Sequence, residues 1–421
     1  MHRAKIFRGW WVTLAAFLTF GIAVGIPYYN MPFFYDYYEN AFHWPRHYIT
    51  LGFPVAALLT LWVGPLLVPR FAPRNLILAG TALTFAACLG FSRMTGSLTA
   101  YFGLWFVYTM GYVLSGPIPH QIIVSHWFRR NRGLAMGIVY VGVGLVGAAF
   151  SWAVKPLAET YGFRGALLIL GCLMFAAWPI ALLLLRNRPQ ELGLNADGDE
   201  TPAEDDAAAA HSFGYLLSQW PFWLLMIGSL CSIGAIGAIN QHMKLVFKDA
   251  GFTNQAVLNS TWRVASTLIL ISSIVGRLLI GFLADKLPMK WVMTATYVIV
   301  AATIPMLLMV HPPGSPRPFA AIFGFAMGAD YMLIPLMAAR QFGLSSLAKS
   351  MAVILPVNTI GQTWVPEGVS ILRDHYGNYQ VAMNAVLALA AVGALAIAAL
   401  PKQRELADPV SARTKPAAAR Q

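Results

Sequence analysis

The sequence predicts an all-α membrane protein with twelve transmembrane helices in two pseudo-symmetric six-helix bundles. Three observations carry this. Of 421 residues, 58% are hydrophobic and only 11% charged, whereas soluble domains carry roughly 25% charged residues. Runs such as 76–90 and 382–400 are apolar on every side, which excludes the strict alternation of a transmembrane β-barrel. A hydrocarbon core of about 30 Å needs roughly 20 apolar residues per helix, so the apolar content suffices for about twelve spans joined by short loops.

Apolar length and turn residues place the helices at 9–37, 46–69, 75–93, 98–126, 132–158, 164–186, 219–247, 255–284, 290–309, 317–340, 349–372 and 379–400. The basic start, Met1 to Arg8, runs into the first of these and reads as a retained span, not a cleaved signal peptide. Pro27 and Pro32 fall within helix 1, Pro117 and Pro119 within helix 4, and Pro356 and Pro366 within helix 11. Such breaks survive where the freed carbonyls face other helices or a wet cavity. Cys88, Cys172 and Cys231 lie far apart in apolar segments, with neither a disulfide framework nor a metal-type spacing.

Net charge is +12, from 29 Lys and Arg against 17 Asp and Glu. In a soluble protein that would suggest nucleic acid; here the placement of the charges decides. With the N-terminus inside, 19 basic residues fall on the cytoplasmic side, six outside, and four (Lys155, Lys244, Arg263 and Arg277) within helices. That imbalance predicts both termini in the cytoplasm of a multi-pass cell-membrane protein, with the lipid bilayer and no nucleic acid as partner.

Residues 189–218 differ in kind. Seven of the 17 acidic residues lie between Glu191 and Asp206, followed by four alanines, with no Lys or Arg. They read as a solvated cytoplasmic tether between an N-terminal bundle (1–188) and a C-terminal bundle (219–400), with 401–421 as a tail. The bundles echo each other: Gly64 to Arg70 corresponds to Gly281 to Lys286, and Phe128 with Leu134 and Ala135 to Phe342 with Leu347 and Ala348, at offsets of 217, 214 and 213. Near-constant offsets about a central linker indicate duplication.

Gly281-Phe-Leu-Ala-Asp285-Lys286-Leu-Pro-Met-Lys290 is similar to the G-x-x-x-D-R-x-G-R-K loop of the major facilitator superfamily, with Pro288 at the second glycine. In the first-half copy, Val68 or Pro69 stands where the aspartate belongs. The resemblance covers the whole chain. It implies the major facilitator fold, a secondary transporter, and a cytoplasmic latch at Asp285 and Lys286 with Arg129 and Arg130. Within the superfamily the chain resembles the branch of monocarboxylate transporters and oxalate:formate antiporters. Gly9-Trp10-Trp11, the run Trp127-Phe128-Arg129-Arg130-Asn131-Arg132-Gly133-Leu134-Ala135, His242 and Arg277 carry that likeness. Mammalian members have an aspartate one turn before the helix-8 arginine, here Ser273, and a lysine after the helix-1 proline, here Tyr28. Their proton scheme therefore does not transfer directly.

An arginine at mid-membrane costs about 2.5–3.5 kcal/mol on insertion scales, so Arg277 must face a cavity or a partner. Its fork offers a carboxylate two parallel donors and stays charged, and the resemblance implies the same role, a substrate-carboxylate anchor. The alternatives are an interhelical ion pair with Asp330 or a cap on a broken helix. Arg263, fourteen residues earlier, reads as snorkelling or as lining an entry funnel. His242, with Asn240, Gln241 and Lys244, makes the outer half of helix 7 polar; it is either a satisfied buried donor or a proton relay. Asp330 and Asp36 are the other proton candidates, and substrate and Asp330 would compete for Arg277 if both readings of the arginine hold. Tyr28, Tyr108, Tyr112, Asn240, His242, Tyr331, Asn358 and Gln362 supply polar groups for a small solute or for interhelical hydrogen bonds.

Gly142-Val-Gly144-Leu-Val-Gly147 satisfies G-x-G-x-x-G but lies inside an apolar helix with no preceding strand, so close helix packing explains it. No P-loop, H-E-x-x-H or G-x-S-x-G occurs. The expectation is a transporter, not an enzyme. It would move a small lactate-like or pyruvate-like monocarboxylate by alternating access, together with a proton, with the proton gradient as energy source and no cofactor or metal. The alternatives are a dicarboxylate, sugar acid or drug as solute, exchange in place of symport, and a non-transporting sensor. A second cation beside Arg277 would favour a dicarboxylate.

Overall fold

The computed structural model describes residues 7–200 and 211–401. Among them no β-strand occurs, and nine helical segments are long and apolar enough to cross a membrane. Helix 1 is Arg8–Phe42, helix 3 Pro73–Ser92, helix 7 Trp220–Asp249, helix 8 Gln255–Lys286 and helix 9 Met289–Leu308. Helix 10 is Arg317–Phe342, helix 11 Leu347–Tyr376 and helix 12 Tyr379–Ala398. The segment Arg132–Leu183 leaves helical geometry at Gly162 (φ 70°, ψ 166°), a conformation glycine adopts without a Cβ clash, and so supplies helices 5 and 6. Helix 2 is broken into Arg46–Thr50, Gly52–Leu59 and Val63–Leu67, and helix 4 into Leu98–Ser115 and Pro117–Trp127. With these two the architecture is consistent with twelve passes.

Small residues set how the helices meet. A Cβ on Gly142 would stand 2.3 Å from the Phe17 carbonyl oxygen, and one on Gly147 2.5 Å from that of Gly25. The glycine run in helix 5 is thus a packing face for helix 1, as the sequence predicts. Helix 5 also packs along helix 8, and helices 2 and 4 on helix 11, so these contacts join the two halves.

The halves share an apolar core at one end only. There Val63, Trp127 and Met136 of the first half form one cluster with Ile280, Met332 and Leu355 of the second. At the opposite end each half keeps its own core, with Phe34, Phe91 and Tyr101 in the first and Phe247, Ile304 and Phe323 in the second. Both described chain termini lie at the shared end: Phe7 packs on Trp127 and Phe128, and the Pro401 carbonyl accepts from Gln341. The molecule is therefore closed at the end that carries Asp285.

The linker departs from the expected tether. Residues 189–200 form two short turns docked on the first half. His126 Nδ1 and Trp127 Nε1 bond the carbonyls of Asn187 and Arg186 just before it, at 3.0 and 2.9 Å. Asp197 is buried against the loop between helices 4 and 5, where local backbone donors replace water. At the other side of the linker, the His211 amide donates to Ser346 Oγ at 3.0 Å, at the start of helix 11.

Candidate functional site

Four tyrosines, an arginine and the glutamines that two of the tyrosines bond converge from both halves between the bundles. Helix 1 contributes Tyr28, which stacks on Tyr112 of helix 4 with ring centroids 6.3 Å apart. Helix 5 contributes Tyr140, whose hydroxyl accepts from Gln121 Nε2 of helix 4. From the second half comes Tyr331 of helix 10, which donates to Gln362 Oε1 of helix 11 at 2.6 Å and lies within electrostatic reach of Tyr112, Tyr28 and Tyr140. Helix 8 contributes Arg277, within reach of Tyr29 and Tyr140. Tyr112 and Tyr331 also border a cavity of about 30 Å³ between helices 2, 4, 10 and 11, walled otherwise by Thr60, Thr109, Thr359 and apolar side chains.

Arg277 is held but not neutralised. Its Nη1 donates to Ser273 Oγ at 3.0 Å, one turn earlier on the same helix, while its Nε is buried with no acceptor. Among the described residues no carboxylate pairs with it, so the expected alternative of an ion pair with Asp330 does not hold. Asp330 points instead into the interior of the second half, where it accepts from Ser232 of helix 7 beside Tyr297 of helix 9. Substrate and Asp330 therefore do not compete for one arginine.

Other predicted residues lie elsewhere, because helix rotation aims them away. His242 is buried within the second half, with Nδ1 3.1 Å from the Tyr379 hydroxyl and Nε2 3.0 Å from the Pro366 carbonyl oxygen. The carbonyl can only accept, so Nε2 donates, and the imidazole ties helices 7, 11 and 12 together. Asn358 accepts from Ser229 Oγ at 3.0 Å inside the same half. Tyr108 is the exception: it is buried in the first half against Trp105 and Phe53, whose ring also meets Tyr28 and Tyr112, so it lies at the border of the site. Asn240 is exposed, its amide 3.3 Å from Met327 Sδ. Asp36 sits in an exposed cluster, 2.9 Å from Arg46, which removes the burial that a coupling carboxylate needs. Tyr140 and Gln121 are the members of the site that sequence alone does not single out.

At the closed end Asp285 accepts the backbone amides of Gly133 and Leu134, at 2.7 and 2.9 Å, so a carboxylate of helix 8 caps the start of helix 5 across the two halves. Arg129 lines the same pocket as Asp285, as expected of a latch residue, whereas Arg130 and Lys286 do something else. Arg130 pairs with Asp197 and Asp199 of the linker, the Arg129 amide donates to Asp197, and Lys286 lies over the Phe282 ring. Arg132 and Arg340 face Asp285 in that pocket too.

The Major Facilitator Superfamily profile matches residues 116–366. Among curated proteins the chain is similar to monocarboxylate transporter 13 of Bos taurus, 25% identical over 403 residues, covering 93% of this chain and 89% of the relative. It is similar too to monocarboxylate transporter 11 of Mus musculus, 24% identical over 407 residues, covering 94% and 88%. An MFS-type transporter of Gibberella moniliformis is 24% identical over 395 residues, covering 89% and 85%. Among solved structures, the fucose:proton symporter of E. coli superposes with a TM-score of 0.67 at 13% identity, covering 95% of this chain and 100% of that one. The human organic anion transporter MFSD10 superposes with a TM-score of 0.71 at 10% identity, covering 92% and 99%.

Proposed function

The chain belongs to the major facilitator superfamily, and from that premise we propose that it carries a small monocarboxylate across the membrane by alternating access, with Arg277 as the carboxylate's anchor. It is a membrane transporter and not an enzyme. The observation that carries the reading is a guanidinium whose Nη1 donates a hydrogen bond to Ser273 and whose buried Nε has no acceptor among the described residues. A bound carboxylate would accept from the free edge of that fork, and charge-assisted bonds of this kind are strong where water is excluded. The cluster holds one cation, which suits one carboxylate.

The tyrosine hydroxyls support the same reading. They come from helices 1, 4, 5 and 10, so one anion on Arg277 would touch both halves, as rocking about a midplane site requires. The coupling proton is assigned to Asp330, a buried carboxylate without a cation, one residue from Tyr331 on helix 10. The Lys and Arg asymmetry supports a cell-membrane orientation with the Asp285 end in the cytoplasm, in which the end where each half keeps its own core faces outward.

The test is uptake of labelled lactate and pyruvate into proteoliposomes, with succinate and a neutral sugar as competitors. Arg277→Gln is expected to abolish uptake while yield and thermal unfolding stay unchanged. Normal uptake by that variant overturns the anchor. Inhibition by the sugar, independent of Arg277, moves the substrate to another class.

A further inference from the structure

The loop between helices 4 and 5 is held by two carboxylates from different parts of the chain. Asp285 of helix 8 takes the amides of Gly133 and Leu134, and Asp197 of the linker takes those of Arg129 and Arg130, both at 2.9 Å on Oδ2. The Asp197 side chain is 4% exposed while its neighbour Arg130 is 68% exposed, so the linker acid is inserted beneath the loop and not laid upon it. Its backbone is left-handed (φ 55°), a region that Asp tolerates better than most residues. Arg132 lies within reach of both acids, and its Nε donates to the Phe128 carbonyl across the loop at 2.9 Å.

We propose that Asp197 is a positioning residue of the latch: it pre-shapes the 128–134 loop so that the amides of Gly133 and Leu134 are presented to Asp285 of the opposite half. The asymmetry of the attachments explains why. Asp197 belongs to a linker segment tied to the first half, where Asn187 also accepts from the Arg74 amide at 2.9 Å. Its bonds can persist when the halves part, whereas those of Asp285 must break and re-form in each cycle. A loop already in its docked shape loses less conformational entropy on each re-docking. The linker thereby tunes how readily the closed end shuts, whatever solute is carried.

Hydrogen exchange resolved to single amides, on the full chain in lipid nanodiscs, tests this. Asp197→Gly suits the left-handed backbone and removes only the carboxylate. It is expected to speed exchange at Gly133 and Leu134 by about tenfold, the fold-change of a lost capping contact. Asp197→Asn keeps an acceptor oxygen and should leave those two amides near their native rate. Asp197→Ser, with a shorter acceptor, should fall between and stands in if the glycine variant is poorly produced. In an Asp285→Ala background, Asp197→Gly should add nothing at Gly133 and Leu134. Faster exchange confined to Arg129 and Arg130, or an equal increment in the Asp285→Ala background, overturns the proposal, because Asp197 would then only fasten the linker.

Discussion

Gly137 of helix 5 lies against the backbone of Arg277: a Cβ on Gly137 would stand 2.4 Å from the Arg277 carbonyl oxygen. One turn earlier, a Cβ on Gly133 would stand 2.2 Å from the Gly281 carbonyl oxygen. The mid-helix cation of the site is thus carried on a seam between the halves where Gly133 and Gly137 leave no room for a Cβ. Alternating access requires that seam to part and close again.

Gly137→Val should therefore oppose the closed seam by about 1–3 kcal/mol, the usual cost of overpacking. Spin labels at Phe71 and Leu287, exposed on the two halves near the closed end, should report a longer-distance population in the variant. An unchanged distance distribution would mean that the helices accommodate the side chain without separating.

Arg277→Lys keeps the charge and loses the planar fork. Apparent affinity for the transported anion should fall roughly ten- to a hundredfold, as expected for a lost charge-assisted hydrogen bond. Equilibrium binding to purified protein measures it. Equal affinity would reduce the role of Arg277 to a point charge.

Asp330→Asn fixes this buried position in a neutral form. If Asp330 carries the proton, uptake in the variant no longer responds to an imposed pH gradient, while counterflow exchange of substrate continues. A wild-type gradient response removes Asp330 as the coupling group.

His242→Ala removes two of the hydrogen bonds that join helix 7 to helices 11 and 12, and should lower stability by about 1–3 kcal/mol. The pH profile of uptake should remain that of the parent. A displaced profile would restore His242 as a proton relay.

Much of the site was legible because a polar group in an apolar helix is an anomaly that demands a reason. Arg277, Tyr28, Tyr112 and Tyr331 stand out for that reason, and they do converge. So do His242 and Asn358, which the structure places inside the second half, since composition cannot tell a cavity-facing polar group from one satisfied between helices. Tyr140 carried a signal in its spacing. With Gly133, Gly137 and Gly144 it falls at intervals of four, three and four, one face of helix 5, and that face meets helix 8. The glycines at 142 and 147 point to helix 1 and make the segment look like packing alone.

What the sequence by itself determined is local: apolar spans matched to the bilayer, the basic imbalance between their ends, the duplicated halves, and the Asp285 loop. Each is read from residue content and spacing along the chain, without knowing which helices meet. What only the tertiary structure decided is facing and partnership. The π-helical turn at Gly21–Gly25 and the 3-10 turn at Met31–Phe34 shift the phase of helix 1, so the direction of Tyr28 does not follow from a 3.6-residue period. Asp330 and Tyr331 are neighbours in sequence yet have different partners, Ser232 of helix 7 and Gln362 of helix 11, because successive helical residues lie about 100° apart. Asp197, in a segment whose composition reads as solvated, is buried because the loop between helices 4 and 5 offers it two free amides, a complement that exists only once helices 4 and 5 have formed.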